Sequence, residues 1–216
     1  MEEGWSTKKL VRSIVLSQTY RQSSVGDAKA TAVDPENRLF AHMNRRRLEA
    51  ECIRDTILSV SGQLKTDRGG PGFKADLAAD YGFKHADLRR SVYLPVFRNA
   101  LPELFEVFDF ADSSVCTGRR NTSTVAQQAL FLMNNPFVID QARTTARKLL
   151  DETQPDDAAR ITSAFRRVLG RSPKSEELGI ASKFLKGFDK DEKTRLDGWT
   201  QFVQTLFASV DFRYVN

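Results

Sequence analysis

The chain reads as mainly α: an irregular multi-helix domain with one or two short strands and a C-terminal set of antiparallel helices. Three observations predict this. Apolar residues recur at helical spacing in several windows, and helix-starting and helix-ending residues stand at the edges of those windows. Connections in the C-terminal half are only a few residues long, which favours antiparallel neighbours. At 216 residues, with 40% hydrophobic and 28% charged, the chain is long enough to bury a proper core. The expectation is a single helical domain over residues 1–216, with an irregular central segment at 89–137 and a helical C-terminal part at 138–216.

Taken in order, Ser6 is placed to cap a helix in which Leu10, Val11, Ile14 and Val15 share a face, with Gln18 in phase. Gln22 to Glu36, rich in small and polar residues, reads as a loop. A second helix is predicted from about Asn44 to Val60, with Leu48, Cys52, Ile53, Ile57 and Val60 inward. Arg47 with Glu51, and Glu51 with Arg54, would pair on its outer face, and Gly62 would help to end it. Gly69-Gly70-Pro71-Gly72 is a turn cluster. Ser91 to Phe97 alternates, with aromatic and β-branched residues, and predicts a short strand.

The C-terminal half is more regular. Thr124 with Gln127 spells a capping box for a helix with Val125, Ala129, Leu132 and Met133 inward. Pro136 opens a helix ending near Leu150. Asp156 or Asp157 opens another, with Ile161, Phe165, Val168 and Leu169 in phase and Gly170 as its stop. Ser172-Pro173 starts the helix bearing Leu178, Ala181, Leu185 and Phe188. The last helix has the strongest stripe: Trp199, Phe202, Val203, Leu206, Phe207 and Val210.

Composition narrows the function classes. Lys and Arg number 33 against 28 Asp and Glu, a net charge of +5, with both signs interspersed. Arg45-Arg46-Arg47, Arg89-Arg90 and Arg119-Arg120 are separated, each with acids close by, so nucleic-acid binding is disfavoured. No apolar run reaches the roughly 18 residues of a membrane-spanning helix. The start, MEEGWSTKKL, has acids where an export signal has basic residues and then a long apolar core. Cys52 and Cys116 suggest neither a disulfide framework nor a metal clip, and are expected to be buried or incidental thiols. There is no Cys-x-x-Cys-His for covalent haem, and His42 and His85 are single residues better suited to surface or capping roles. No metal and no cofactor is expected.

Catalytic signatures such as Gly-x-Ser-x-Gly, His-Glu-x-x-His or a glycine loop ending in Gly-Lys-Ser/Thr do not occur. The fairer candidates lie in the segment from Arg89 to Phe137. Asp109 and Asp112 flank Phe110 a few residues ahead of Arg119 and Arg120. Such a cluster could hold a sugar, or supply an acid and a base if burial raised one carboxyl. The favoured alternative is a lock of helix caps and Arg–carboxylate pairs that satisfies the hydrogen bonds of an irregular crossing. Arg45, Arg46, Arg47 and Arg98, with Arg119 and Arg120, form the candidate anion-binding or partner-binding set. The favoured reading is that Arg46 and Arg47 instead pair with Glu49, Glu51 or the two aspartates.

GWSTKKLVRSIVLSQTYRQSS, NRRRLEAECIRDTILSVSG, the 89–137 segment and LGRSPKSEEL together resemble one family. It is the planctomycete-type PSD domain of unknown function, found beside a sister domain and cytochrome-like domains in large bacterial proteins. The likeness runs from Trp5 to Val215 and is most specific at Arg45–Glu51, Tyr93–Arg98 and Gly118 through Phe137. Ala126-Gln127-Gln128 stands where the family usually has Ala-Pro-Gln, a structurally mild departure because Pro and Gln both suit a first helical turn. The resemblance implies the C-terminal part of a longer protein, exported or envelope-associated when full length, with the sister and cytochrome-like domains as partners. It implies no established activity. The resulting expectation is a non-catalytic structural or interaction module accompanying cytochrome-like or carbohydrate-processing domains. The alternatives are a polysaccharide hydrolase centred on Asp109, Asp112, Arg119 and Arg120, or weak nucleic-acid or anion binding.

Overall fold

Side-chain caps set many of the helix starts in the computed structural model, which describes residues 4–215. Ser6 accepts from the Lys9 N–H and opens α1 (Thr7–Leu16). Asp27 does the same for α2 (Ala28–Val33), inside the stretch expected to be a loop. Small, polar composition hid a six-residue helix that one Asp suffices to start. Arg46–Arg47 (β1) pair antiparallel with Tyr214–Val215 (β2), so the chain is extended where the sequence predicted helix from Asn44. The following helix, α3, runs Ala50–Ser61 and ends on Gly62 at φ +69, as expected.

Ser91 to Phe97 is not a strand. Ser91–Tyr93 is a 3-10 turn, because Asp55 of α3 accepts both the Ser91 N–H (2.9 Å) and its hydroxyl (2.6 Å). Local capture by one carboxylate outweighs the alternating pattern. Then follow α4 (Glu103–Val107), α5 (Ala126–Asn134), α6 (Pro136–Asp151), α7 (Asp157–Leu169), α8 (Ser175–Lys186), α9 (Glu192–Ala208) and α10 (Val210–Arg213). In α5, Val125 takes the cap position and Gln128, Phe131 and Leu132 are buried, whereas Met133 is exposed. The start of α6 behind Asn135, and the limits of α7 between Asp156 and Gly170, match the sequence reading. α8 begins two residues later than expected, after Lys174, whose N–H the Glu177 carboxylate accepts (2.7 Å).

Cα packing separates two compact units: the described residues up to Arg47 with Tyr214–Val215, and Leu48–Arg213. The larger unit holds the apolar core, in which α6 and α9 make the most extensive helix–helix contact. Ala142 and Ala146 lie on the fully buried stripe of α6 beside Val138 and Leu149. On α9, Trp199, Phe202, Val203, Leu206 and Phe207 are buried as the stripe predicted, and Val210 beyond it is exposed. A Cβ on Gly198 would sit 2.5 Å from Phe188 Cγ and 2.6 Å from its Cβ, closer than real carbon atoms approach. Gly198→Ala should therefore destabilise the chain by about 1–3 kcal/mol in urea unfolding, and adding Phe188→Ala should recover part of that loss.

The smaller unit is organised around a polar residue. Buried Asn37 donates to the His42 carbonyl (2.7 Å) and to Asn44 (3.0 Å).

Arg171 clamps the start of α8 to α10 by donating to Glu177 (2.7 Å) and Asp211 (2.7 Å). The hydrogen bonds from Arg171 to Glu177 hold its carboxyl down to about 2, against an ordinary value of 4.5. A depressed carboxylate stabilises the fold above its unfolded value and loses that contribution as pH falls through the folded value. The advantage of the parent chain over Glu177→Gln should thus fade as pH drops from about 4.5 to about 2. A gap in thermal midpoint that stays constant across that window would contradict this.

Candidate functional site

The 89–137 segment is built outward from one buried cation. Arg54 lies in α3 between Ile53 and Ile57, and is itself buried, not on the outer face the sequence suggested. Cys52, expected inward, is exposed, as is Cys116, and both are free thiols. Arg54 donates to the carbonyls of Asp87 and Arg89 (2.9 Å to the latter) and to Ser91 Oγ (3.2 Å). Burial pulls its guanidinium below the ordinary arginine value, and the charges of Asp55 and Asp87 oppose that shift. The loop through residues 87–91 is thereby tied to α3.

Arg89 extends the tie. It holds Asp87 (2.7 Å) and donates to the carbonyls of Gly69 (2.6 Å) and Pro71 (3.1 Å), closing the glycine-rich turn. The hydrogen bonds from Arg89 lower the Asp87 carboxyl below its usual range. Gly72 is required there, because a Cβ would stand 2.7 Å from the Tyr93 carbonyl oxygen.

Arg120 faces α3 as well. Its two terminal nitrogens grip both Glu51 oxygens (2.8 and 2.9 Å), one also reaches Glu49 (3.4 Å), and its guanidinium lies 4.7 Å from the centre of the Phe110 ring. Phe110 in turn stacks on Phe105 at 4.9 Å. Such a bidentate fork is the strongest common form of Arg–carboxylate pair. Glu51 was expected to pair within its own helix, with Arg47 and Arg54. Asp109 adopts a left-handed backbone (φ +58), and its carboxylate accepts the Ser123 N–H (2.9 Å) and hydroxyl (2.8 Å). Fully buried Gln128 donates to the carbonyls of Val107 (3.2 Å) and Ser123 (3.3 Å), joining the same crossing.

The remaining predicted residues are more dispersed. Asp112 is exposed and accepts the Ser114 N–H (2.7 Å), which lowers its carboxyl, with the charge of Arg98 adding to the effect. Arg98 and Arg119 are exposed. Arg45 lies 4.9 Å over the Tyr214 ring, and Arg46 and Arg47 form β1. His85 is held by its Nε2 on the Ala100 carbonyl (2.7 Å) and packs edge-on against Phe83. Phe83 and His85, with Arg54, Leu101, Phe131 and Phe137, line a recess of about 400 Å³. Among the described residues no three His, Cys, Asp or Glu side chains gather as a metal-ligand set.

Sequence reasoning missed Arg54, Asp55, Ser123 and Gln128. Only Arg54 carried a visible signal, a cation flanked by the inward positions Ile53 and Ile57. Arg54→Leu would leave two part-buried carbonyls and buried Ser91 without their donor. It should cost about 3 kcal/mol and speed tryptic cleavage at Arg89 or Arg90, whereas removing exposed Arg119 should change the stability little. Urea unfolding and limited proteolysis check both.

The PSD1 family model, described as a protein of unknown function (DUF1553), matches residues 1–185. No curated protein and no solved structure matches the chain. No helix among the described residues is long and apolar enough to cross a membrane.

Proposed function

This chain belongs to the PSD1 family of unknown function, and on that premise we propose a non-catalytic helical module that supports or docks a partner. The partner would be a sister domain or a cytochrome-like or carbohydrate-processing domain of a longer bacterial protein, the company that the sequence resemblance implies. The observation that carries this reading is the engagement of the central cations and acids with each other and with main chain. Arg120 is forked on Glu51, Arg54 holds the 87–91 backbone, and Asp109 holds Ser123.

A general acid working near neutral pH needs a carboxyl pushed upward. The resolved shifts in and beside the segment run the other way: Asp87 is lowered by Arg89, and Asp112 by Ser114. Charged groups arranged in this manner fix a surface in place, which suits docking. The hydrolase reading draws its support from Asp109, whose left-handed backbone is the kind of local strain that also marks active sites.

Co-expression with the sister or cytochrome-like domain should give a stable complex at micromolar concentration or below. Asp109→Asn and Asp112→Asn should leave that complex intact. Glycan turnover by the parent chain that disappears in the folded Asp109→Asn variant would overturn the proposal in favour of the hydrolase.

A further inference from the structure

Residues 4–47 contain no buried apolar side chain; their buried residues are Asn37 and Arg47. Large apolar groups point outward along the whole stretch, including Trp5 (81% exposed), Val33 (84%) and Phe40 (62%). The α1 face formed by Leu10, Val11, Ile14 and Val15 is likewise exposed. Single exposed apolar residues are ordinary, but four sharing one face of a helix, with more in the same stretch, mark an interaction surface.

Helix length sharpens the point. α1 has ten residues and α2 has six. Isolated helices below about 12–15 residues are marginal in water, and β-branched Val11, Ile14 and Val15 lower the intrinsic helix preference further. Helices of this kind hold through packing against something, yet neither buries a residue.

Charge indicates what that something is. Residues 4–47 carry nine Lys and Arg against three Asp and Glu, and no acid occurs between Gly4 and Gly26. Lys8, Lys9 and Arg12 interleave with the apolar positions of α1. An anionic lipid surface shares that sign, but an interfacial helix lies flat with its apolar residues in one plane. Here they are spread over α1, α2 and the Leu39–Phe40 turn, and Asp27, Asp34 and Glu36 stand among them, where an anionic bilayer would repel them.

We infer that residues 4–47 are one half of a protein–protein interface, and that the occupant is a protein surface with an apolar stripe rimmed by Asp and Glu. The inference rests on the docking function proposed above and adds the place of docking and the chemistry of the partner.

The test adds the sister domain, as a separate polypeptide, to the full chain, with Trp5 as reporter because Trp199 is only 1% exposed. Binding should shift Trp5 emission to the blue and protect the amides of α1 and α2 from hydrogen exchange. Ile14→Glu should weaken binding roughly tenfold or more, since it places a charge in the apolar contact, while the unfolding midpoint stays unchanged. Arg12→Glu should weaken it most at low salt. Unchanged affinity in Ile14→Glu, with protection confined to 89–137, would overturn this inference and leave the docking function standing. Failure of the sister domain to bind at all would remove both. Binding of α1 to vesicles of phosphatidylcholine and phosphatidylglycerol in equal parts, without sister-domain binding, would replace the protein partner by a lipid surface.

Discussion

The desolvated guanidinium of Arg54 is the constraint around which the central segment is arranged. A buried cation must find acceptors for its N–H groups, and α3 offers only the Asp55 carboxylate at 3.5 Å, because its own carbonyls are engaged in the helix. The closer acceptors come from the backbone at Asp87 and Arg89 and from Ser91. Asp55, one residue along, takes the Ser91 N–H and hydroxyl, so the same helix supplies both signs to one loop. The tight turn at Ser91–Tyr93, the closing of the glycine-rich turn by Arg89 and the need for Gly72 all follow from holding that loop in place.

A second Arg applies the same logic further along α3. Arg120 reaches Glu51 through a planar fork and covers Phe110, which a lysine could not do in the same way. Between the two, Gln128 and Asp109 satisfy carbonyl and amide groups that an irregular chain would otherwise bury without partners. The irregular segment therefore adds side-chain bonds to main chain and to α3 to the burial of Leu104, Phe105 and Phe108, where the C-terminal helices rest mainly on apolar burial.

This division explains what could be read from the sequence. Pro136, Asp156, Gly62 and Gly170 act within a few residues of themselves, so their starts and stops were legible. The α9 stripe was legible because one long period repeats without interruption. The Ser91–Phe97 strand was misread because its fate is decided by Asp55, 36 positions earlier in the chain. The inward turn of Arg54 and the fork from Arg120 to Glu51 depend likewise on partners that no local pattern names. Asp109 was picked out as notable on composition. That its partner is Ser123 was beyond any spacing rule, since an irregular loop has no fixed period.

The two compact units differ in how their folds are secured, and this difference bears on the proposed docking. In the larger unit, fully buried side chains on α6 and α9 supply stability that needs no second molecule. In the smaller, the only buried side chains among the described residues are polar or charged, Asn37 and Arg47. Hydrogen bonds exchanged for bonds to water contribute about 1 kcal/mol each, so they can shape a loop but scarcely hold two short helices against their conformational entropy. Apolar cover is the missing contribution, and a surface that supplies it would gain part of its affinity by ordering α1 and α2. Affinity and helix stability in that unit would then rise and fall together, as expected when folding and binding are coupled.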